Sequence, residues 1–328
     1  MVSLPVGAFK GLHRGILIMK PSYLLLHKKG ELSERVENAL RLLESCGLCP
    51  RECGVNRLKN ETGYCKTGRI ARIASYNAHF GEESPLVGTH GSGTIFISSC
   101  NLLCSFCQNY EISHLREGVE TEPAQMAAMM IQLKEMGCHN INFVTPTHVI
   151  PQILEALIIA LDRGLDIPLV YNSGGYDKPE TLAILDGIFD IYMPDFKFWD
   201  GKWSDRYCHA PDYKERAAAA IREMHRQTGD LIMDDNGIAV KGLLIRHLVM
   251  PNNVAGTADI MDFIAKEISD NCYVNVMDQY RPCGNAMGDE FINRRLYSNE
   301  FKMAIEKARE AGLIRLDQKD RHRLVFRL

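Results

Sequence analysis

The chain has 328 residues, of which 46% are apolar and 24% charged, with 38 basic and 41 acidic side chains giving a formal charge of -3. This length is about twice the commonest domain size and within reach of one α/β barrel, while the composition excludes collagen-like, disordered and coiled-coil chains. The near-neutral balance supplies no overall field toward nucleic acid or an anionic membrane, and no apolar run approaches the roughly 18 residues of a membrane span.

The opening MVSLPVGAFK lacks the apolar core and cleavage site of a secretory signal. The expectation is a cytoplasmic protein, in which the 11 cysteines serve metals more readily than disulfides. Residues 31–46, ELSERVENALRLLESC, space Leu32, Val36, Leu40 and Leu43 along one face of an amphipathic helix. That helix enters a loop running from Cys46 to Cys65, broken by Gly47, Pro50, Gly54 and Gly63. Residues 69–90 carry little periodic signal and read as short strands and a connection.

From residue 94 the chain alternates β-rich runs with helical stretches. TIFIS (94–98) precedes a helix starting at Glu122, NINFV (140–144) a helix over 151–163, and IPLVY (167–171) a shorter helix from near Lys178. FDIYM (189–193) leads through an irregular loop to a helix over 211–227, GLLIRHLVM (242–250) to one over 257–269, and YVNVM (273–277) to one over 299–311. Strands that alternate with helices call for a largely parallel sheet, because parallel neighbours need crossover connections. The expected fold is α/β, an open or partial (β/α)6 TIM-like barrel, although a doubly wound sheet has the same element order. The expected division is an N-terminal helical and cysteine-rich extension (1–90), the barrel (91–285) and a C-terminal helical extension (286–328).

SSCNLLCSFCQNY places Cys100, Cys104 and Cys107 at CxxxCxxC spacing directly after the first of these strands. Three soft thiolates so spaced can hold three irons of a [4Fe-4S] cubane and leave the fourth iron open. A structural zinc would instead recruit a fourth ligand, such as His114 or His148, and close its shell. The motif resembles that of the radical S-adenosylmethionine superfamily, whose members carry CxxxCxFC-like motifs on a partial (β/α)6 barrel. The resemblance implies that S-adenosylmethionine chelates the open iron and that an electron from the cluster cleaves it to methionine and a 5′-deoxyadenosyl radical. That radical abstracts hydrogen from a substrate carbon, which requires a dry barrel mouth.

Functional groups in such folds collect at the carboxyl ends of the strands. Where the superfamily has a GGE-like element contacting the methionine amino group, this chain has Thr145, Pro146 and Thr147, whose hydroxyls and carbonyls are candidates for that contact or for a helix cap. Asn172 and Ser173 can bond the ribose or carboxylate, with Gly174 and Gly175 allowing a turn or close approach. Asp195 and Lys197, two apart in MPDFKFW, share a face if extended and resemble the DxK element of activating enzymes, which implies a place near the cofactor. Arg246, in an apolar run, calls for either a cofactor or substrate carboxylate or an internal salt bridge, and His247 points to the opposite face as an ordinary packed histidine. The resemblance places Phe106 beside adenine, with Asn109 supporting that loop; Tyr110 is a weaker candidate. No residue is assigned a catalytic role.

A second set, Cys46, Cys49, Cys53 and Cys65, supplies four soft ligands for zinc or another iron-sulfur cluster. Its CxLCPRxCxVNR pattern resembles uncharacterised proteins related to pyruvate formate-lyase activating enzymes. Cys138, Cys208 and Cys272 read as ordinary reduced cysteines, and Cys283, beside Pro282 and Gly284, as a turn residue or a ligand at the mouth. The resemblance implies an external electron donor and hydrogen abstraction from a glycine of a partner protein. The alternatives are radical modification of another peptide or small molecule, and a non-enzymatic iron-sulfur scaffold or electron-transfer protein. Nucleic acid is disfavoured as a substrate by the lack of an aromatic and basic platform.

Overall fold

The computed structural model describes residues 20–317. The opening ten residues and the outer ends of both expected extensions lie outside the described residues. The described residues form nine strands: β1 (Ala71–His79), β2 (Ser92–Ile97), β3 (Val119–Thr121), β4 (Ile141–Val144), β5 (Leu169–Ser173), β6 (Ile191–Pro194), β7 (Ile232–Met233), β8 (Ala239–Leu248) and β9 (Tyr273–Met277). The helices are α1 (Tyr23–Lys28), α2 (Glu31–Arg41), α3 (Ser84–Val87), α4 (Tyr110–Ser113), α5 (Pro123–Glu135), α6 (Ile150–Asp162), α7 (Pro179–Ile184), α8 (Gly201–Cys208), α9 (Tyr213–Thr228), α10 (Thr257–Phe263) and α11 (Ser298–Glu310).

The strand order is β3-β1-β2-β4-β5-β6-β8, with β9 and the short β7 both paired to β8. From β2 through β4, β5, β6 and β8 to β9 every pairing is parallel. These are the expected β-rich runs, joined by the expected helices. The sheet stays open, because the outer edge of β2 takes up β1 in antiparallel register. An open α/β sheet with a mostly parallel core is therefore the architecture. The segment 69–90, which carries little periodic signal, contributes all of β1, and the irregular loop after β6 contains α8. The helix expected over 257–269 divides into α10 and a π-helical turn over Ile264–Ile268.

Alternation along the strands sorts their side chains onto two sides. Leu169, Tyr171, Tyr192, Leu243 and Ile245 join the large core beneath the helices. Val170, Ile191, Met193 and Leu244 join a smaller cluster, plugged by Leu86 of α3, on the concave side. Both sides are apolar, so stretches of the parallel strands such as LVY (169–171) read as continuous hydrophobic runs rather than as alternating ones. Entry to α5 is set by Pro123 at its first turn and by a reciprocal capping box between Glu122 and Gln125. By the same alternation, Asn172, Asp195 and Arg246 fall on the concave side at the strand ends, whereas His247 falls on the helix side.

His247 is fully buried, with Nδ1 2.8 Å from the Phe196 carbonyl and Nε2 2.8 Å from Thr257 Oγ1. Burial pushes its pKa down to about 4, outweighing the Phe196 carbonyl and the Asp195 charge, and Lys197 pushes in the same direction as burial. Below the ordinary histidine range the unfolded chain takes up a proton that the folded chain refuses until about pH 4. Stability is therefore lost as pH falls through this window, by up to about 3 kcal/mol from this one group. Urea unfolding at pH 7 and pH 5 is expected to show a smaller acid loss in His247→Asn than in the unsubstituted protein. Equal losses would assign the acid sensitivity to other groups.

Candidate active site

The carboxyl ends of β2, β4, β5, β6, β8 and β9 surround an open cavity of about 370 Å³. Cys100, Cys104 and Cys107 all line it, together with Phe106, Asn109, Thr145, Asn172, Ser173, Asp195, Lys197 and Arg246. Thr147 does not. It is buried, and its hydroxyl donates to Asp177 Oδ1 at 2.7 Å. A larger cleft, about 620 Å³, lies on the other side of β9 against α11 and has no cysteine in its wall.

The cysteine loop turns sharply as it leaves β2: Ser99 and Leu103 both adopt left-handed backbone conformations, with φ of 74° and 52°. Such residues cost energy unless surrounding contacts hold them. Ser99 N–H is tied to the Ile112 carbonyl and Ser105 N–H to the Tyr207 carbonyl. The Leu102 amide donates to Cys100 Sγ at 3.3 Å, and the Ser113 hydroxyl to Cys107 Sγ at 3.2 Å. Burial, then the neighbouring Cys104, pushes the Cys100 thiol up to about 12. Cys104 is raised chiefly by a hydrogen bond with Cys208 and then by burial, and Cys107 by burial. These thiols hold their protons until a metal displaces them. Cys208, an ordinary cysteine by sequence, thus packs against Cys104, yet it does not line the mouth.

Opposite the thiols lies a buried ionic network. Lys197 Nζ donates to Asp195 Oδ2, Arg246 Nε to Asp195 Oδ1 at 2.8 Å, and an Arg246 terminal nitrogen to Asn172 Oδ1 at 2.6 Å. Of the two kinds of partner expected for Arg246, the internal ion pair is engaged. Burial pushes the Asp195 carboxyl up, but Arg246 and then Lys197 outweigh it and hold the group below the carboxylate range. Lys197, pushed down by burial, is raised overall by Asp195 and by Cys104. The ammonium therefore stands between a carboxylate and the cysteine loop.

Asp177 gathers the second polar set: besides Thr147 it accepts from the Tyr171 hydroxyl at 2.8 Å and the Ser173 hydroxyl at 2.7 Å. Ser173 reaches the mouth with its proton already committed. Gly175 sits at φ +77°, where a Cβ would lie 2.1 Å from the Asp195 carbonyl oxygen, so the glycine provides both a turn and a close approach. Phe106 is buried against the rings of Phe198, Tyr207 and Tyr280 and forms an apolar wall. Tyr110 stacks on His114 outside the cavity lining, and Cys283 also lies off it.

Residues not singled out from the sequence complete the rim. Glu82 and Glu83 each place an oxygen 3.9 Å from Arg246, and His79, Met277 and Gln279 line the cavity with them. Glu83 is buried; Oε1 accepts from Asn275 at 2.8 Å and Oε2 has no hydrogen-bond partner. Two adjacent acids before Ser84-Pro85 are the only local signal for this pair, and their approach to Arg246 is a tertiary event.

Among the described residues no three His, Cys, Asp or Glu side chains close to ligand distance of a single ion. Three thiols lining one cavity of about 370 Å³ suit a cubane, in which each binds a different iron. The hydrogen bonds to sulfur and the nearby ammonium suit the negative charge of such a group, so the residues present fit it.

A family model described as the Radical SAM superfamily matches residues 94–264, just over half of the chain. An uncharacterised protein of Methanocaldococcus jannaschii, MJ0674, is 36% identical over 296 residues, covering 87% of this chain and 80% of that one. Among solved structures, methylornithine synthase (PylB) aligns at a TM-score of 0.45 with 14% identity, over 68% of this chain. The alignment spans 63% of that protein, less than two thirds of its length. No described helix is long and apolar enough to cross a membrane.

Proposed function

Because the chain belongs to the Radical SAM superfamily, we propose that its open mouth is an active site for abstracting hydrogen from a carbon of a partner polypeptide, with a glycine as the leading target. Membership implies a [4Fe-4S] cluster and S-adenosylmethionine, which together supply a carbon radical able to take hydrogen from an unreactive C–H bond. The observation that carries the reading is the meeting of Cys100, Cys104 and Cys107 with the polar ends of β5, β6 and β8 around one cavity.

In this reading each of the three cysteines holds one iron. Asn172, its oxygen engaged by Arg246, keeps its amide N–H groups for a carboxylate or ribose oxygen. Asp195, Lys197 and Arg246 form a charged face held rigid by mutual pairing. Phe106 and the rings behind it keep water from the side of the mouth nearest the cysteine loop. Glu82, Glu83 and His79 line the Arg246 side of the cavity and add acidic character to the wall that an N–H group of a peptide would meet. A relation to pyruvate formate-lyase activating enzymes, a cytoplasmic setting and an external one-electron donor belong to the same proposal.

The test is anaerobic: reconstituted protein, reductant and S-adenosylmethionine, with 5′-deoxyadenosine quantified and candidate glycyl radical partners added for electron paramagnetic resonance. Product formation, and a glycyl radical signal with a partner, are expected. A verified reducible cluster that yields no 5′-deoxyadenosine would shift the assignment to an iron-sulfur scaffold or electron carrier.

A further inference from the structure

The loop over 46–65 folds back so that all four of its cysteines line one small cavity, which Arg51, Arg57 and His148 also border. Its free volume is about 10 Å³, room for about one water-sized body. The mouth, at about 370 Å³, has space for a cluster and a cofactor, whereas this second cavity has space for a single ion. Its four thiols are free, and Cys46 and Cys49 are buried.

The charges on the wall set the sign of the occupant. Arg57 is 1% exposed, and its guanidinium donates to the Gly68 and His148 carbonyls and, at 3.9 Å, to Cys46 Sγ. Arg51 donates to the carbonyls of Asn101, Leu102, Cys208 and His209 and stacks on Tyr64 and Tyr176. Neither guanidinium is paired with a carboxylate among the described residues, and a buried cation without a counter-charge is costly. The filled cavity must therefore be anionic. Zinc bound by four thiolates carries two net negative charges, which the two guanidiniums neutralise. His148 is the rival for the fourth place, because its Nε2 lies 3.0 Å from the Ser98 carbonyl and its Nδ1 has no hydrogen-bond partner. Three thiolates and that ring would leave one positive charge over, so the charge count favours the cysteines. The loop is also shaped around sulfur. The Tyr64 amide donates to Cys53 Sγ at 3.3 Å, a bond that favours thiolate over thiol, and a Cβ at Gly63 would lie 2.6 Å from that same sulfur.

We infer that Cys46, Cys49, Cys53 and Cys65 hold one zinc ion in a closed tetrahedral shell, charge-balanced by Arg51 and Arg57. Zinc stands above ferrous iron in the affinity series for such a site, and four protein ligands leave no open position, so the role is structural. No three such side chains close on one point among the described residues, and zinc binding draws the sulfurs inward as it displaces their protons. Arg51 carries the consequence to the mouth, since it holds the Asn101 and Leu102 carbonyls between Cys100 and Cys104. The zinc loop thereby anchors the loop that carries the other three thiols.

The decisive sample is the full-length Cys100→Ala/Cys104→Ala/Cys107→Ala variant, which removes the mouth as a competing metal site and makes the outcome independent of the radical reading. Expressed with iron and zinc both supplied, it is expected to carry about one zinc per chain without iron or sulfide, and zinc X-ray absorption is expected to show four sulfurs at about 2.3 Å. Iron with sulfide, a single iron in place of zinc, or no metal overturns the inference, and a nitrogen in the zinc shell overturns the four-thiolate assignment. Should the variant fail to fold, zinc content and zinc absorption of the unsubstituted protein decide, because iron in the mouth does not contribute to either. Arg57→Met in the triple-variant background is expected to weaken zinc binding about 10–100-fold in a chelator competition; an unchanged affinity removes Arg57 from the charge balance. Failure of the radical reading looks different, as absent S-adenosylmethionine cleavage in the unsubstituted protein whatever its zinc content.

Discussion

Cys104→Ala is expected to reduce 5′-deoxyadenosine formation to background, a fall of at least about a thousand-fold, without unfolding the chain. Cys104 is the middle cysteine of the motif, buried and facing the same cavity as Cys100 and Cys107. Its replacement leaves two thiolates for a cubane that needs three, so cluster absorption and reductive cleavage should disappear together. The informative control is Cys208→Ala. Cys208 packs against Cys104 from the core side and does not line the mouth, so this variant is expected to retain iron, sulfide and cleavage. Loss of iron in Cys208→Ala would mean that Cys208 is a cluster ligand, and the open iron position that the reading requires would be closed. Far-ultraviolet circular dichroism on both variants separates ligand loss from misfolding.

The second large effect is on stability. Asp195→Asn is expected to cost about 3–5 kcal/mol, the usual result of removing one member of a buried ionic set. Asp195 is the shared carboxylate of Lys197 and Arg246, and its loss leaves two cations in a site with little access to water. Glu82 and Glu83, at 3.9 Å from Arg246, are too distant to replace a hydrogen-bonded partner. Lys197→Met is expected to be milder, because Asp195 then keeps Arg246. Denaturant titration of the metal-free chains measures both. An Asp195→Asn variant within 1 kcal/mol of the unsubstituted protein would mean that the amide, or water, satisfies both cations, and the network would not be the rigid face proposed for the mouth.

Much of this was legible along the chain. YVNVM predicts β9 to the residue, and the other parallel strands are legible for the same reason: strands buried on both sides need long apolar runs, a local property of sequence. Two departures have the opposite cause. β5 extends to Ser173 because Asn172 and Ser173 pair with Met193 and Pro194 of β6, and no composition rule marks two polar residues as strand. The short strands expected over 69–90 carried no bounds for β1, because its pattern is mixed, with Ser75, Tyr76 and Asn77 exposed; pairing with β2 defines it as one strand of nine residues.

The candidate site divides along the same line. Spacing alone made Cys100, Cys104 and Cys107 a ligand set, since ligands to one cluster can be delivered by a single short loop. Parity along β8 likewise separated Arg246 from His247. Thr147 shows where local reading ends: it is two residues from Thr145, which lines the mouth, but the 3-10 turn over Thr147–Val149 carries its hydroxyl inward to Asp177. Glu82 and Glu83 reach Arg246 across more than 160 residues of chain, a meeting that depends on where the loop after β1 crosses the open sheet. By itself, then, the sequence determined the order of the elements and which cysteines act together, because both are encoded over a few residues. Only the tertiary structure decided which charges face which, and that two guanidiniums line the second cysteine set with no carboxylate partner among the described residues, because charge balance belongs to a volume and not to a segment of chain.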